Sequence, residues 1–416
     1  MHVFTSIAIN YLPKARVLAR SLKQIHPDYQ FHLILCDRLP DDIQIKDEPF
    51  DSIFLLEDFL IPNIRSWLFK HSVIEICTAV KGIAFQKIFQ RFDCAKVIFL
   101  DPDIAIFKSL EHISDLLDTY SVVLTPHQSS PEIHPEAVLH NEVTFLKYGT
   151  FNFGFLGIRN SPEGWQFLNW WSDRCLEHCY VEPSLGLFTD QCWGNLIPAF
   201  FTNYYILRDV EYNVANWNMT LRHATGSVKT GILINDRPLC FYHFSGLESG
   251  TQDYMLERYG QENPGVSDLT NWYIAQCHEM GQAIYGNIPC IYTRYDNGEL
   301  ITAEQRIIYR NRPDLQHFFP DPFLTQPLEK SFLYWYSNRK FPDSAYKNRT
   351  LQSQPSESEL VEFFDRFEKL QLNFDQLETQ SKMLQNEINA MKTSKFWQLR
   401  LIWIDIKVKL KSLFRL

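Results

Sequence analysis

The first hundred residues alternate short apolar runs with amphipathic stretches, and this alternation restricts the fold more than any other feature of the chain. Residues 2–9 form an apolar run ending at Asn10. The segment Pro13 to Ile25 then places Ala15, Leu18, Ala19 and Leu22 on one helical stripe. Phe31 to Leu35 and Ser52 to Leu56 read as further strands, and a helical stretch over residues 72–92 leads into a strand at Lys96 to Leu100. Parallel strands need a crossover between them, so strands alternating with helices predict an α/β fold with a mainly parallel sheet. Ligands of such sheets gather beyond the carboxyl ends of the strands. Asn10, Tyr11, Asp37, Asp101 and Asp103 each follow such a run and are the first residues to test for function.

Beyond residue 120 the strand-like runs are more widely spaced (Val122 to Leu124, Phe153 to Ile158, Leu239 to Phe244) and mixed with aromatic residues, as for the second wall of a cleft. The α/β body is placed at residues 1–260, with a helical and loop extension packed on it over 261–345, where Tyr295 to Gly298 reads as a turn. Residues 346–358, with Ser353, Pro355, Ser356 and Ser358, read as a linker. Over 359–391 a heptad places Leu360, Phe367, Phe374, Ser381 and Ile388 at one core position and Phe363, Leu370, Leu377, Leu384 and Met391 at the other. A coiled coil that could join copies of the chain into a homo-oligomer is therefore expected, the alternative being a single long helix lying on the globular body. Residues 392–416 carry seven basic residues against Asp405 alone, interleaved with Phe396, Trp397, Trp403, Ile404 and Phe414. A basic amphipathic helix of this kind suits an anionic membrane surface; the alternative is a helix docked on an acidic face of its own protein.

Charge and cysteine usage exclude other classes. A net charge of −9 argues against binding nucleic acid through its phosphates. The nine cysteines include no Cys-x-x-Cys pair, and although Cys175, His178 and Cys179 fall at helical spacing, they lack a second ligand pair and read as packing. Met1 to Phe4 has neither the basic region nor the apolar segment of a secretion signal, and no run of about 18 uncharged apolar residues occurs. A cytoplasmic protein, peripheral on the membrane face, is expected. In that compartment the Asn218-Met219-Thr220 sequon would be accidental.

The chemistry is concentrated in Lys96-Val97-Ile98-Phe99-Leu100-Asp101-Pro102-Asp103. A buried strand runs to its end and two carboxylates emerge at i and i+2, a spacing that lets both reach one hard divalent cation, which can in turn bridge a nucleotide's phosphates. Tyr242-His243-Phe244-Ser245-Gly246 ends another apolar run, and a neutral His243 there could complete a Mn²⁺-type site. Lys81, closing Cys77-Thr78-Ala79-Val80-Lys81, could counter diphosphate charge; the alternative is a solvated surface lysine.

Taken in order, Thr5, Asn10-Tyr11-Leu12-Pro13, the Cys77 to Lys81 stretch, Leu100 to Asp103, Phe151 to Gly157, Asp190-Gln191 and His243-Phe244-Ser245-Gly246 resemble the nucleotide-sugar glycosyltransferases of the GT-A fold. The likeness is to the glycogenin-like family 8 enzymes and their bacterial relatives in polysaccharide synthesis, and it spans residues 2–250. It implies a Rossmann-like sheet and a metal-dependent transferase. Such an enzyme moves a sugar from a UDP-sugar to a glycan or lipid-linked acceptor, with retention as the expected outcome. It also implies roles: Thr5, Asn10 and Tyr11 at the nucleoside, Lys81 and Gly246 at the phosphates, Asp101, Asp103 and His243 on Mn²⁺ (or Mg²⁺), and Asn152, Asp190 and Gln191 at the sugar and reaction centre. One departure is that Leu247-Glu248-Ser249-Gly250 stands where the family commonly carries a Lys-Pro-Trp-like stretch.

Two other readings are open to the same residues. An Asp-nucleophile phosphatase also sets an Asp-x-Asp at a strand end, but usually on its first strand, whereas about a hundred residues precede this one. A catalytically inactive scaffold, tethered by the coiled coil and basic tail, has no use for three ligands converging from distant segments.

Overall fold

The computed structural model describes residues 1–338 except 41, 42, 249, 261 and 262. The expected linker, coiled coil and basic helix lie outside the described residues. Seven strands are introduced in chain order: β1 (His2–Ile7), β2 (Gln30–Leu35), β3 (Ser52–Leu55), β4 (Lys96–Leu100), β5 (Ile104–Ile106), β6 (Val122–Pro126) and β7 (Phe151–Arg159). The central sheet has seven strands in the order Tyr204–Ile206, β6, β7, β4, β1, β2, β3. All neighbours are parallel except β7, which runs antiparallel to both β4 and β6. The α/β, mainly parallel architecture expected from the sequence is therefore present. β5 stands outside this sheet and pairs antiparallel with Phe241–His243.

The strand residues are apolar on both faces because both faces are covered. On one side Phe4, Ile34, Val97 and Phe99 pack with Ala84, Phe85, Ile88 and Phe89 of the Lys81–Phe92 helix and with Trp171. On the other side Val3, Ile7, Leu33, Ile98 and Leu100 pack with Ala15, Leu18, Ala19 and Leu22 of α1 (Leu12–Ile25), the stripe read from the sequence. Each fully buried Leu, Ile or Phe contributes about 1.5–3 kcal/mol of transfer free energy, so the two layers fix the strand ends that carry the polar residues.

The helical stretch of residues 72–92 is divided in two, Val73–Ala79 and Lys81–Phe92, meeting at Val80. The break places Lys81 at the first position of the second helix, where it is buried. The segment after residue 262 does not stand apart from the body. Tyr292, Tyr309, Phe319, Phe323 and Phe332 share the core of Val97 and Phe99. Arg306 donates to the carbonyls of Leu68, Phe69, His71 and Tyr292 at 3.3, 3.0, 2.6 and 2.5 Å. Asp37, a functional candidate in the sequence, is a clamp: its carboxylate accepts from the amides of Ile9, Arg38 and Ile291 at 3.1, 2.8 and 3.1 Å. Asn218 is fully buried, and its amide donates to the carbonyl of Asn213 at 3.1 Å, which removes it as a glycan acceptor in the folded chain. Among the described residues no helix is long and apolar enough to cross a membrane.

Candidate active site

The site is assembled by two pieces of backbone pairing. β4 stops at Leu100. The Asp101 amide donates to the Gly154 carbonyl of β7 at 2.7 Å, and a tight turn returns the Ile104 amide to the Asp101 carbonyl at 3.1 Å. β5 follows at once, and its partner strand sets His243 directly opposite Ile104, with the Phe244 amide donating to the Asp103 carbonyl at 2.8 Å. Two residues remote in sequence are thereby fixed side by side. His243 Nε2 lies 3.1 Å from Asp103 Oδ1 and 3.7 Å from Asp101 Oδ2. One ligand atom from each of the three lies within 4.8 Å of the others, and among the described residues this is the one His/Cys/Asp/Glu group with that property. Cys175 and Cys179 are instead buried in the core beside Trp171.

Gly154 provides the space for this convergence. A Cβ there would lie 2.4 Å from His243 Cε1 and 2.8 Å from both Asp101 Oδ2 and Asn152 Oδ1. Two carboxylates and an imidazole around a cradle that any side chain would fill are a suitable donor set for a divalent cation.

The imidazole is held by a second layer of residues. Asn213 Nδ2 donates to Thr125 Oγ1 at 2.7 Å and to Asn152 Oδ1 at 3.0 Å, which turns Asn213 Oδ1 toward His243 Nδ1 at 3.3 Å. With the proton on Nδ1, the Nε2 lone pair faces the carboxylates, the arrangement that outer partners impose on metal-binding histidines. Trp217 packs edge-on against the same ring at 5.1 Å. Asn213 itself adopts φ +51°, a conformation asparagine tolerates better than most residues.

Lys81 is 3% exposed at its side chain and is not the solvated lysine of the alternative reading. Its ammonium donates to the Phe153 carbonyl at 3.0 Å and lies 3.0 Å from Asp190 Oδ2 and 3.4 Å from Asp101 Oδ1. Burial opposes its charge, but the two carboxylates more than offset this and raise its pKa. Asp190 is further held by Thr189 Oγ1 at 3.1 Å, and Thr189 adopts φ +48°. Backbone strain of this kind persists only where the surroundings enforce it.

Burial raises the Asp101 carboxyl pKa, with Lys81 and His243 pulling against it. Asp103 moves the opposite way: burial would raise it, but His243 and then Lys14 hold it below the usual range. Burial would lower His243, yet Asp103 and Asp101 raise it above the ordinary imidazole value.

The remaining sequence candidates divide. Asn152 joins the cluster through its carbonyl oxygen, which accepts from the Gly154 amide at 3.1 Å. Asn10 and Tyr11 form the turn after β1 and are partly exposed. Gly246 adopts φ +82°, and a Cβ there would meet Thr251 Cβ at 2.9 Å and Asn216 Nδ2 at 3.0 Å, so the loop after His243 requires glycine. Gln191 turns elsewhere, donating to the Tyr148 carbonyl at 2.7 Å. Thr5 is fully enclosed, two residues short of the end of β1 on the face shared with Val3 and Ile7, and is not open to a ligand. Sequence reasoning passed over Gly154, Asn213 and Lys14. The Nζ of Lys14 sits 3.9 Å from the Tyr11 ring centre.

No protein-family model matches the chain. It is similar to two curated proteins of Bacillus subtilis (strain 168): the uncharacterized protein YfnD (24% identity over 260 residues, 60% of this chain and 79% of that one) and the uncharacterized protein YfnF (26% over 251 residues, 58% and 80%). Among solved structures it is similar to the galactosyltransferase LgtC in complex with donor and acceptor sugar analogues (18% identity, 63% of this chain and 96% of that one, TM-score 0.36). Two others are mouse xyloside xylosyltransferase 1 (12%, 59% and 97%, 0.34) and the glycosyltransferase GlyE of Streptococcus pneumoniae TIGR4 (15%, 71% and 66%, 0.36). All three are glycosyltransferases.

Proposed function

We propose that the chain is a GT-A glycosyltransferase that uses a divalent cation, Mn²⁺ in the first instance, to bind a UDP-sugar and passes the sugar to a glycan or lipid-linked acceptor with retention of configuration. The observation that carries this reading is the convergence of Asp101, Asp103 and His243 at the carboxyl end of the central strands, around a glycine whose missing side chain lets them approach one another. The cation, when bound, would supply Lewis-acid stabilisation of the charge that develops on the departing diphosphate. In this reading the two carboxylates and His243 Nε2 hold it, and Asn213 orients the imidazole. Tyr11 offers a ring to the base and Asn10 lies beside it, while Thr5, enclosed within β1, has no contact with the ligand. Gly246 lets backbone approach the phosphates. Asp190, fixed by Lys81 and Thr189, would stabilise positive charge at the sugar, with Asn152 beside it; Gln191, also assigned to the reaction centre by the resemblance, would have to leave the Tyr148 carbonyl to reach it.

The remaining parts of the proposal rest on sequence: residues 359–391 join copies of the chain, and residues 392–416 hold it to anionic lipid on the cytoplasmic face. Deleting 392–416 should release the protein from anionic vesicles in a flotation assay; full retention would reject the tail as the anchor. The activity itself is tested by turnover across a panel of UDP- and GDP-sugars with Mn²⁺ or EDTA. Metal-dependent consumption of one UDP-sugar, lost in Asp103→Ala, is expected. Turnover of none would favour a non-catalytic scaffold.

A further inference from the structure

A second cation borders the site from the helix that follows β1. Lys14 occupies the first turn of α1, a helix of 14 residues, where the helix dipole disfavours a positive charge, and its side chain is only 4% exposed. A buried lysine at a helix N-terminus is doubly costly unless anions face it. Glu248, on the loop after Gly246, forms an ion pair with it, and the negative charge of Asp103 acts on it as well. The partners differ in kind. Asp103 belongs to the candidate metal centre, whereas the Glu248 side chain is 58% exposed on a surface loop. The loop itself offers no positive charge, since between His243 and Arg258 the sequence has no lysine or arginine. Lys81 is already engaged by Asp101 and Asp190.

We infer that Lys14 is a diphosphate-binding residue and that Glu248 holds its ammonium until the phosphates of a nucleoside diphosphate displace the carboxylate. This rests on the reading of the site as a nucleotide-sugar site and adds to it the residue and the exchange of partners. The Tyr11 ring, 3.9 Å from the ammonium, joins the two ends of the ligand: base against the aromatic residue, phosphates against the lysine three positions on. A swinging exposed carboxylate also gives the loop after Gly246 a charge-driven reason to move when ligand arrives.

The test is calorimetric titration of the full chain in Mn²⁺ with UDP and, separately, with uridine. Lys14→Gln should weaken UDP binding on the order of 10- to 100-fold, the loss of one charge-assisted contact, while uridine binding stays within about twofold. Glu248→Gln, a change on an exposed side chain that should not affect folding, should tighten UDP binding several-fold. Unchanged UDP affinity in either variant, or equal loss of UDP and uridine in Lys14→Gln, overturns the inference while leaving the nucleotide site in place. Failure of the wild-type chain to bind UDP at all removes the proposed function and this inference with it.

Discussion

The substitution Gly154→Ala separates a site that only looks like a metal centre from one shaped to be one. The backbone at Gly154 is in a conformation open to any residue, so the cost of alanine arises from what its Cβ meets. It would sit 2.4 Å from His243 Cε1, about 1 Å inside ordinary van der Waals contact, and 2.8 Å from Asp101 Oδ2. β7 cannot retreat, because it is paired on both sides, to β4 and to β6. His243 and Asp101 must therefore move by an amount several times the ~0.2 Å tolerance of a metal–ligand distance. The expected stability loss is that of an overpacked core, about 1–3 kcal/mol. The expected loss of Mn²⁺ affinity is about 10- to 100-fold or greater, as for disturbed ligand support. Mn²⁺ binding by electron paramagnetic resonance, alongside urea unfolding in EDTA, measures both. Gly157→Ala in the same strand is the control, since its Cβ would meet the flexible end of Leu117 at 3.2 Å and Val123 Cβ at an ordinary 3.6 Å, none of them at the metal centre, and should leave Mn²⁺ affinity unchanged. A folded Gly154→Ala protein that binds Mn²⁺ within about twofold of wild type would refute the reasoning.

Other consequences follow from the same geometry. Asn213→Ala removes the acceptor that orients His243 and should weaken Mn²⁺ binding about 10- to 100-fold without touching a ligand, measured by the same titration. Arg306→Leu leaves four buried carbonyls without their donor and should destabilise the fold by about 2–4 kcal/mol in urea unfolding. Burial lowers the pKa of His32 and of His71 to about 3. Their depressed values mean that the unfolded chain takes up protons first, so their contribution is complete above the unfolded imidazole value of about 6.5 and is lost as pH falls toward 3. Each should cost about 2 kcal/mol between pH 7 and pH 5, and His71→Gln should remove about that much of the acid sensitivity seen in urea midpoints.

The parts of the fold and site that depend on neighbours in sequence were legible. The apolar run Val97 to Leu100 is buried on both sides, so it had to be a strand, and Pro102 marks where its carboxylates emerge. The run before His243 carried the same message. What pairs them, β5 against Phe241–His243, is a contact between distant segments that no spacing encodes. Gly154 was visible only as one glycine in Phe151 to Gly157, because its meaning is the atoms that would touch a Cβ. Asn213 sits in a loop with no periodicity, and Lys14 reads as an ordinary polar position of an amphipathic helix until burial is known. Asp37 and Thr5 failed in the opposite way. Asp37 follows a strand end but is used up on backbone amides, and Thr5, taken from the order of family motifs, lies inside β1 and is enclosed.

The central claim is that Asp101, Asp103 and His243 hold a cation to which a nucleoside diphosphate binds. Titration of UDP into the full chain with Mn²⁺, again with EDTA, and again with Asp103→Ala in Mn²⁺ tests it most directly. The account predicts binding in the first experiment and a loss of at least about 100-fold in the other two. Equal affinity in all three, or no binding in the first, would contradict it.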